Sequence, residues 1–409
     1  MAKEYKDLVV GLDIGTAKVM VVVAEVLANG DLKLAGLGIA PSNGIKRGVV
    51  VNIDATVQSI QQALKEAELM ADCKITRVTT GITGSHIRGI NSSGMVAVKD
   101  REVTAADVAR VVETAKAINI SSDQRLLLVE PQEYIIDGQD VREPIGMSGI
   151  RLEAKVHIVT GAQTAAENII KCVRRCGLEV DQLMLNPHAS SLSVLTQDER
   201  ELGVALVDIG AGTTDVAIFT NGAIRYTAVI PIAGDLITSD IAMALRTPTK
   251  DAEDIKVESG YAKQLLADPE MQVEVPGLGD REPRMLSRQA LAGVIEPRIE
   301  EIFSLVHQVM RDSGCEEVLS SGIVLTGGSS IMPGMVELGE DIFLKPVRRG
   351  IPHYSSALSD MVAQPRAATV MGLLEDARLA RMRGYKVSQK NGSMKTAVGR
   401  VKDWFIGNF

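Results

Sequence analysis

The sequence predicts an α/β fold built by duplication, two related domains that each carry a small inserted α+β module. Three observations predict it. Two distant segments read almost alike, VVGLDIGTAKVMVVVAEV at 9–26 and GVALVDIGAGTTDVAIFT at 203–220. Each is an apolar β-rich run, a turn on Asp-Ile-Gly with hydroxyl residues behind it, and a second β-rich run. Strands and helices alternate after both copies, and 409 residues exceed what one core accommodates.

In chain order, LKLAGLGIA follows the first hairpin as another strand, and Asp54 is expected to cap a helix reaching Ala71. RVTTGITG is a strand leading to the centre of a sheet. From about Ser85 to Thr160 the pattern becomes strand (MVAVKD), helix (Thr104 to Ala117), strand (RLLLVEPQEYIID) and strand (RLEAKVHIVTG), enough for a module inserted into the first domain. Helix, strand and helix return over 163–196. The second half repeats the scheme: a hairpin from Val204 to Ile230, then helices from about Gly234 to Leu245 and Lys250 to Tyr261. The Pro/Gly-rich stretch VEVPGLGDREPRM precedes a long helix from Ser287 to Asp312. Strand GIVLTGGSS, a helix after Pro333 and a last helix from Arg366 to Arg381 complete the body. GYKVSQKNGS has the composition of a linker.

Composition narrows the function classes. Hydrophobic content of 45% with 23% charge is globular. Four cysteines (Cys73, Cys172, Cys176, Cys315) without a CxxC argue against a disulfide framework or zinc site. No apolar stretch is long enough to span a bilayer, and MAKEYKDLVV lacks a signal peptide's apolar core, so a cytoplasmic protein is expected. From Asp376 onward eight basic residues stand against Asp376 and Asp403, a net +6 that leaves −14 on the rest of a chain totalling −8. An acidic body with a basic tail suits docking on an anionic surface and argues against nucleic acid as a partner.

The repeated turn carries the chemistry. Glycine lets backbone approach an anion, turn amides and Thr hydroxyls can donate to phosphate oxygens, and Asp can hold a metal ion or its waters. One Asp-x-Gly between strands is an ordinary hairpin turn. Two in the same context, facing each other, would clamp a nucleotide.

LDIGTAK, LVDIGAGTTD and GIVLTGGSSIMPG, in this order, resemble the first phosphate, second phosphate and adenosine motifs of the actin, heat-shock chaperone and sugar kinase superfamily. Within it the chain is most similar to the bacterial cell-division FtsA family, over essentially its full length, through QQALKEAELMADCKI, EPQEYIIDG, SVLTQDERELGV, VIEPRIEEI and the amphipathic end. The resemblance implies actin-like, ribonuclease-H-like domains. The first would comprise 1–84, 162–196 and 362–382 around an insert at 85–161; the second 197–245 and 320–361 around an insert at 246–319. A linker at 383–393 and an amphipathic helix at 394–409 would follow.

It further implies ATP and Mg²⁺ as cofactors. Asp13, Gly15, Thr16 and Lys18 would meet the phosphates from one side; Asp208, Gly210, Gly212, Thr213 and Thr214 from the other; Asp13 and Asp208 would hold Mg²⁺ through water. Gly327, Gly328 and Ser329 would let backbone lie against the adenosine, and Glu253 and Lys256, one helical face, would reach ribose and base. In hydrolysing relatives the connecting helix often opens with a Glu that orients the attacking water; here NPHASSLSVL places Asn186 there, with His188 as a substitute or simply a helix-start residue. An amide can hold water but cannot take its proton, so tight binding with slow hydrolysis or none is expected.

Partners follow from two surfaces. SMKTAVGRVKDWFIGNF as a helix aligns Val398, Val401, Trp404 and Phe405 on one face, and three of the chain's twelve aromatic residues lie in its last six positions, which predicts an interfacial anchor for an anionic membrane. Arg284, Arg288 and Arg298 flank the long helix, where the resemblance implies binding of the acidic C-terminal peptide of the tubulin-like protein FtsZ. It also implies self-association into actin-like filaments, recruitment of later division proteins through the first insert, and a place on the inner face of the membrane at the division site. The alternatives are a small-molecule kinase, for which no base and substrate pocket stand out, and a pilus-assembly adaptor, which the linker and amphipathic tail disfavour.

Overall fold

The computed structural model describes residues 7–279, 281–354 and 359–382. The first half opens with β1 (Leu8–Ile14), β2 (Lys18–Val26) and β3 (Leu32–Pro41), followed by a short ribbon of β4 (Ile45–Lys46) and β5 (Val49–Val50), then α1 (Ile53–Ala71) and β6 (Arg77–Ile82). An insert follows: β7 (Arg88–Ala97), α2 (Ala105–Ala115), β8 (Gln124–Ile136), β9 (Gln139–Val141) and β10 (Arg151–Ala162). The chain returns through α3 (Gln163–Arg175), β11 (Glu179–Leu185), α4 (Asn186–Val194) and α5 (Gln197–Leu202). The second half runs β12 (Val204–Ile209), β13 (Thr214–Thr220), β14 (Ala223–Ile230), α6 (Gly234–Leu245), α7 (Thr249–Ser259), β15 (Gln272–Val275), β16 (Arg284–Ser287), α8 (Arg288–Asp312), β17 (Ile323–Thr326), α9 (Met335–Phe343) and β18 (Val347–Arg349). After α10 (Ser359–Val362), α11 (Ala368–Met382) crosses back to the first half.

Duplication is explicit in the pairing. One five-stranded sheet has the order β11-β6-β1-β2-β3 and the other β18-β17-β12-β13-β14. In each, three antiparallel strands are joined to two parallel ones at the first strand of the half. Both sheets are covered on both faces, which is why their strands read as unbroken apolar runs. Val10, Leu12, Val19 and Val21 pack under α1 and α3, whereas Val9, Met20 and Val22 meet Val370, Met371 and Leu374 of α11. In the second half Val207, Ile209 and Val216 pack under α6 and α8, and Leu206 and Ala217 face Val194 of α4. Helices α4 and α11 thus lie in the seam between the two sheets.

The first insert is a separate layer, a β7-β10-β8-β9 sheet with α2 on one face and its own core of Val108, Val111, Val112, Leu152, Ala154 and Val156. It grows from the first half but rests on β14 of the second. Gln132 Nε2 donates to the Ile224 carbonyl (2.8 Å), Arg225 pairs with Glu133 (2.6 Å), and His157 Nε2 meets Thr227 Oγ1 (2.9 Å).

Two local expectations are corrected. The cap of α1 is Asn52, whose side chain accepts from the Ala55 amide; Asp54 sits inside the first turn. The Pro/Gly-rich stretch before α8 contains the ends of an antiparallel ribbon, β15 with β16, because Val273 and Val275 alternate inward while their neighbours face out. The linker and amphipathic tail, with Val398, Val401, Trp404 and Phe405, lie outside the described residues. Among the described residues no helix is long and apolar enough to cross a membrane.

Candidate functional site

Each half presents the same turn at the same register. Asp13 pairs with Met20 and Ile14 with Val19, as Asp208 pairs with Asp215 and Ile209 with Thr214. The Gly15 amide donates to the Lys18 carbonyl (3.0 Å), and the Gly210 amide to the Thr213 carbonyl (2.9 Å). The turns approach so closely that a Cβ built at Gly212 would lie 2.5 Å from Thr16 Oγ1. Only glycine fits there, because any side chain would push the two halves apart.

Three carboxylates are buried around this meeting point. Asp13 faces Lys18 Nζ at 3.4 Å. Asp208 accepts from Ser190 Oγ of α4 (2.6 Å) and Thr369 Oγ1 of α11 (3.4 Å), so both seam helices hold it. Asp215 accepts from the Thr83 hydroxyl, just past β6, and from Thr213 Oγ1 (3.2 Å). Burial lifts the Asp208 carboxyl to about 6; the Ser190 hydrogen bond opposes this and the charge of Asp13 adds to it. Asp215 is lifted to about 7, first by burial and next by the charge of Asp208. Among the described residues no three His, Cys, Asp or Glu side chains are placed to hold a metal ion directly. A pair of desolvated, mutually repelling carboxylates nevertheless fits a divalent cation held through its waters.

The adenosine motif adjoins the second turn. Gly327 has φ +85°, and a Cβ there would strike Asp208 Oδ1 and the Ile209 carbonyl. At Gly328 the space is open, the nearest atom being Arg366 Cβ at 3.9 Å, while Ser329 Oγ donates to the Gly210 carbonyl (2.8 Å). Glu253 and Lys256 belong to the same neighbourhood. Lys256 Nζ is buried, donating to Thr238 Oγ1 (2.8 Å), the Gly234 carbonyl (3.2 Å) and Glu253 Oε2 (2.6 Å), so the lysine is built into the fold while Glu253 stays partly exposed. Gly234 abuts the Gly210 turn, its amide donating to the Gly210 carbonyl (3.1 Å).

The remaining expected residues divide. Thr214 turns its hydroxyl to the Ile232 carbonyl (2.8 Å) and is fully buried, so it secures the strand instead of facing the turn. Asn186 opens α4 with a buried, unpartnered Oδ1 directed at Gly81. His188 faces the first insert: its Nδ1 lies 3.7 Å from Glu130 Oε2, and burial holds the imidazole down to about 4. On the far side, Arg298 grips Asp240 of α6 through Nε (2.6 Å) and Nη2 (2.9 Å) and also reaches Glu301. Arg288 donates to the Ser259 carbonyl (2.9 Å) and stacks on Tyr261 at 5.1 Å; Arg284 donates to the Leu245 carbonyl (2.6 Å) while staying exposed.

Sequence reasoning passed over Ser190, Thr369 and Thr83, all holding the buried acids from other elements. It also passed over the β4–β5 ribbon. The Arg47 backbone lies where a Cβ on Gly212 would meet it, at 2.9 Å, and the Gly48 amide donates to Thr16 Oγ1 (3.2 Å). The signal available was GIKRGVV, a basic turn between two short β runs soon after the first motif.

Two sheets of one topology, with matched Asp-Ile-Gly turns meeting across the seam and a module inserted in the first half, define an actin-like fold. Solved structures share it: a PilM–PilN type IV pilus biogenesis complex (TM-score 0.63, 18% identity, covering 92% of this chain and 98% of that one) and MreB5 of Spiroplasma citri bound to ADP (0.56, 16%, 93% and 98%). The family model for cell division protein FtsA matches residues 205–372, and that for the SHS2 domain inserted in FtsA matches 84–160. Cell division protein FtsA of Pseudomonas aeruginosa is 55% identical, with 98% of each chain covered; those of Neisseria meningitidis serogroup B and Escherichia coli K12 are 52% and 44% identical, covering 97% and 99% of this chain and 98% and 99% of their own lengths. This chain belongs to the FtsA family of cell-division proteins.

Proposed function

We propose that this protein binds ATP with Mg²⁺ between its two turns, polymerises, and tethers FtsZ filaments to the inner face of the cytoplasmic membrane at the division site, recruiting later division proteins through the first insert. The carrying observation is the matched pair of turns with buried Asp13 and Asp208 on facing sides. Phosphates lie against the Gly15–Lys18 and Gly210–Thr213 turns, and the cation's waters on Asp13 and Asp208. Gly327 to Ser329 give the adenosine a backbone floor, and Glu253 with Lys256 reaches ribose and base. Asn186 offers an acceptor for water and no proton acceptor, which supports slow turnover or none.

The FtsZ peptide's carboxylates meet the arginines beside α8. Arg284 is the exposed member, bonded only to the Leu245 carbonyl and free of any carboxylate among the described residues, whereas Arg298 is already paired with Asp240 and Arg288 is stacked on Tyr261. The tail stripe of Val398, Val401, Trp404 and Phe405 enters the membrane interface, with its basic flank on anionic headgroups. One short helix binds weakly and an array of them strongly, so polymerisation and anchoring reinforce each other.

Vesicle flotation tests the reading with wild type, Trp404→Glu and a chain ending at Gly392, each with and without ATP and Mg²⁺. Wild type floats with anionic vesicles, more completely with nucleotide and less at high salt. Trp404→Glu and the truncated chain stay at the bottom while retaining nucleotide binding. Equal flotation of the truncated and full-length proteins would remove the anchor from the proposal.

A further inference from the structure

The β4–β5 ribbon is the least explained element at the site. It bridges both turns: the Gly48 amide is bonded to Thr16 of the first (3.2 Å), and the Arg47 backbone abuts Gly212 of the second. Gly48 also packs on Thr83, whose hydroxyl holds Asp215. The two-residue turn that joins its strands has Arg47 at φ 49° and Gly48 at φ 75°, both in the left-handed region. Asn, Asp or Gly usually fill the first of these positions, so an arginine is held there against local preference by contacts to both halves.

Charge points the same way. Asp13, Asp208 and Asp215 are buried together, with Lys18 paired to Asp13 and its charge also felt at Asp208. A nucleoside triphosphate brings more negative charge than one divalent cation cancels. Arg47 is exposed and, among the described residues, makes no ion pair and no side-chain hydrogen bond. Its planar fork suits the terminal oxygens of a phosphate chain.

We propose that Arg47 is a terminal-phosphate ligand, so that the β4–β5 ribbon distinguishes nucleoside triphosphate from diphosphate and links that distinction, through Gly48–Thr16 and Arg47–Gly212, to the fit between the two halves. The inference rests on the nucleotide reading above. Because the ribbon touches both turns, loss of the terminal phosphate releases Arg47 and loosens both turns together.

The test is titration of wild type, Arg47→Asn and Arg47→Lys with fluorescent ATP and ADP analogues in Mg²⁺. Asn suits the left-handed turn, so Arg47→Asn removes the guanidinium without straining the backbone, and an unchanged thermal midpoint confirms this. Arg47→Asn is expected to weaken the triphosphate by about ten-fold or more and the diphosphate by less than about two-fold, with Arg47→Lys between. Equal weakening of both nucleotides, or no change in either, overturns the assignment while leaving the nucleotide site intact. Failure of wild type to bind either nucleotide overturns the nucleotide reading itself, and this inference with it.

Discussion

Replacing Gly372 by Ala tests whether the seam helices set the geometry of Asp208. Gly372 lies in α11, and a Cβ there would sit 1.7 Å from the carbonyl oxygen of Ala189 in α4. Ordinary contact needs about twice that separation, so the helices must part by roughly 1.5 Å. Ser190 and Thr369, which hold Asp208, flank the contact on the same two helices. Parting them by half that amount stretches the 2.6 Å Ser190 bond past the normal limit. Ala favours a helix interior over Gly by about 1 kcal/mol. Overpacking costs about 1–3 kcal/mol, and a lost hydrogen bond to a charged group about 1.5–3 kcal/mol. Net destabilisation is therefore about 1.5–5 kcal/mol. Gly339→Ala in α9 is the control: its Cβ would meet Val347 Cγ2 at 3.4 Å and Phe303 Cε2 at 3.6 Å, ordinary contacts, so it should be neutral or gain up to about 1 kcal/mol. Urea midpoints by circular dichroism, with fluorescent ATP binding on the folded proteins, read both effects. Equal midpoints for the two variants would refute the close crossing of α4 and α11.

Other outcomes follow from the buried acids and the arginines. Asp215, held up to about 7, binds a proton more tightly folded than unfolded, so its stabilising contribution is full below about pH 4 and is lost as pH rises through 7. His157 and His188, both held down to about 4, act in the opposite sense, so the measurement is a difference: between pH 5 and 7 Asp215→Asn should gain on wild type by up to a few kcal/mol. Parallel pH profiles would count against a buried, desolvated Asp215. Arg284→Glu should weaken an acidic FtsZ tail peptide in fluorescence polarisation, with a small fall in the urea midpoint from the lost bond to the Leu245 carbonyl. Arg298→Glu faces Asp240 and Glu301 and should lower stability by about 1 kcal/mol or more, read as a lower urea midpoint, the pair being partly exposed. If Arg298→Glu is as stable as wild type, its bridge to α6 carries no weight.

The duplication was legible because burial on both sheet faces leaves unbroken apolar runs, and because Asp-Ile-Gly turns have few alternative residues. Tertiary placement was not. Nothing local tells that Thr214 turns to Ile232 while Thr213 turns to Asp215, since hydroxyls at adjacent strand positions simply alternate faces. Ser190 and Thr369 reach Asp208 from sequence distances of 18 and 161 residues, visible only once α4 and α11 occupy the seam. The arginines misled in another way. Arg298 reads as a free cation on a helix, yet its carboxylate partner lies 58 residues away.

Equivalent positions in the two copies carry unlike residues, and this asymmetry explains how matched turns can do different work. Lys18 stands where the second half has Thr213, and Met20 where it has Asp215. The first turn therefore pairs its acid with a cation at 3.4 Å, close to local neutrality. The second turn sets another acid beside its own and offers only hydroxyl donors, and both carboxyls rise. On the reading proposed above, a divalent cation gains most on the Asp208 side, where it relieves two desolvated carboxylates at once, while Lys18 remains free to shift from Asp13 toward phosphate oxygens. Backbone duplication supplies two turns of one geometry, and on that reading two register positions decide which of them draws the cation.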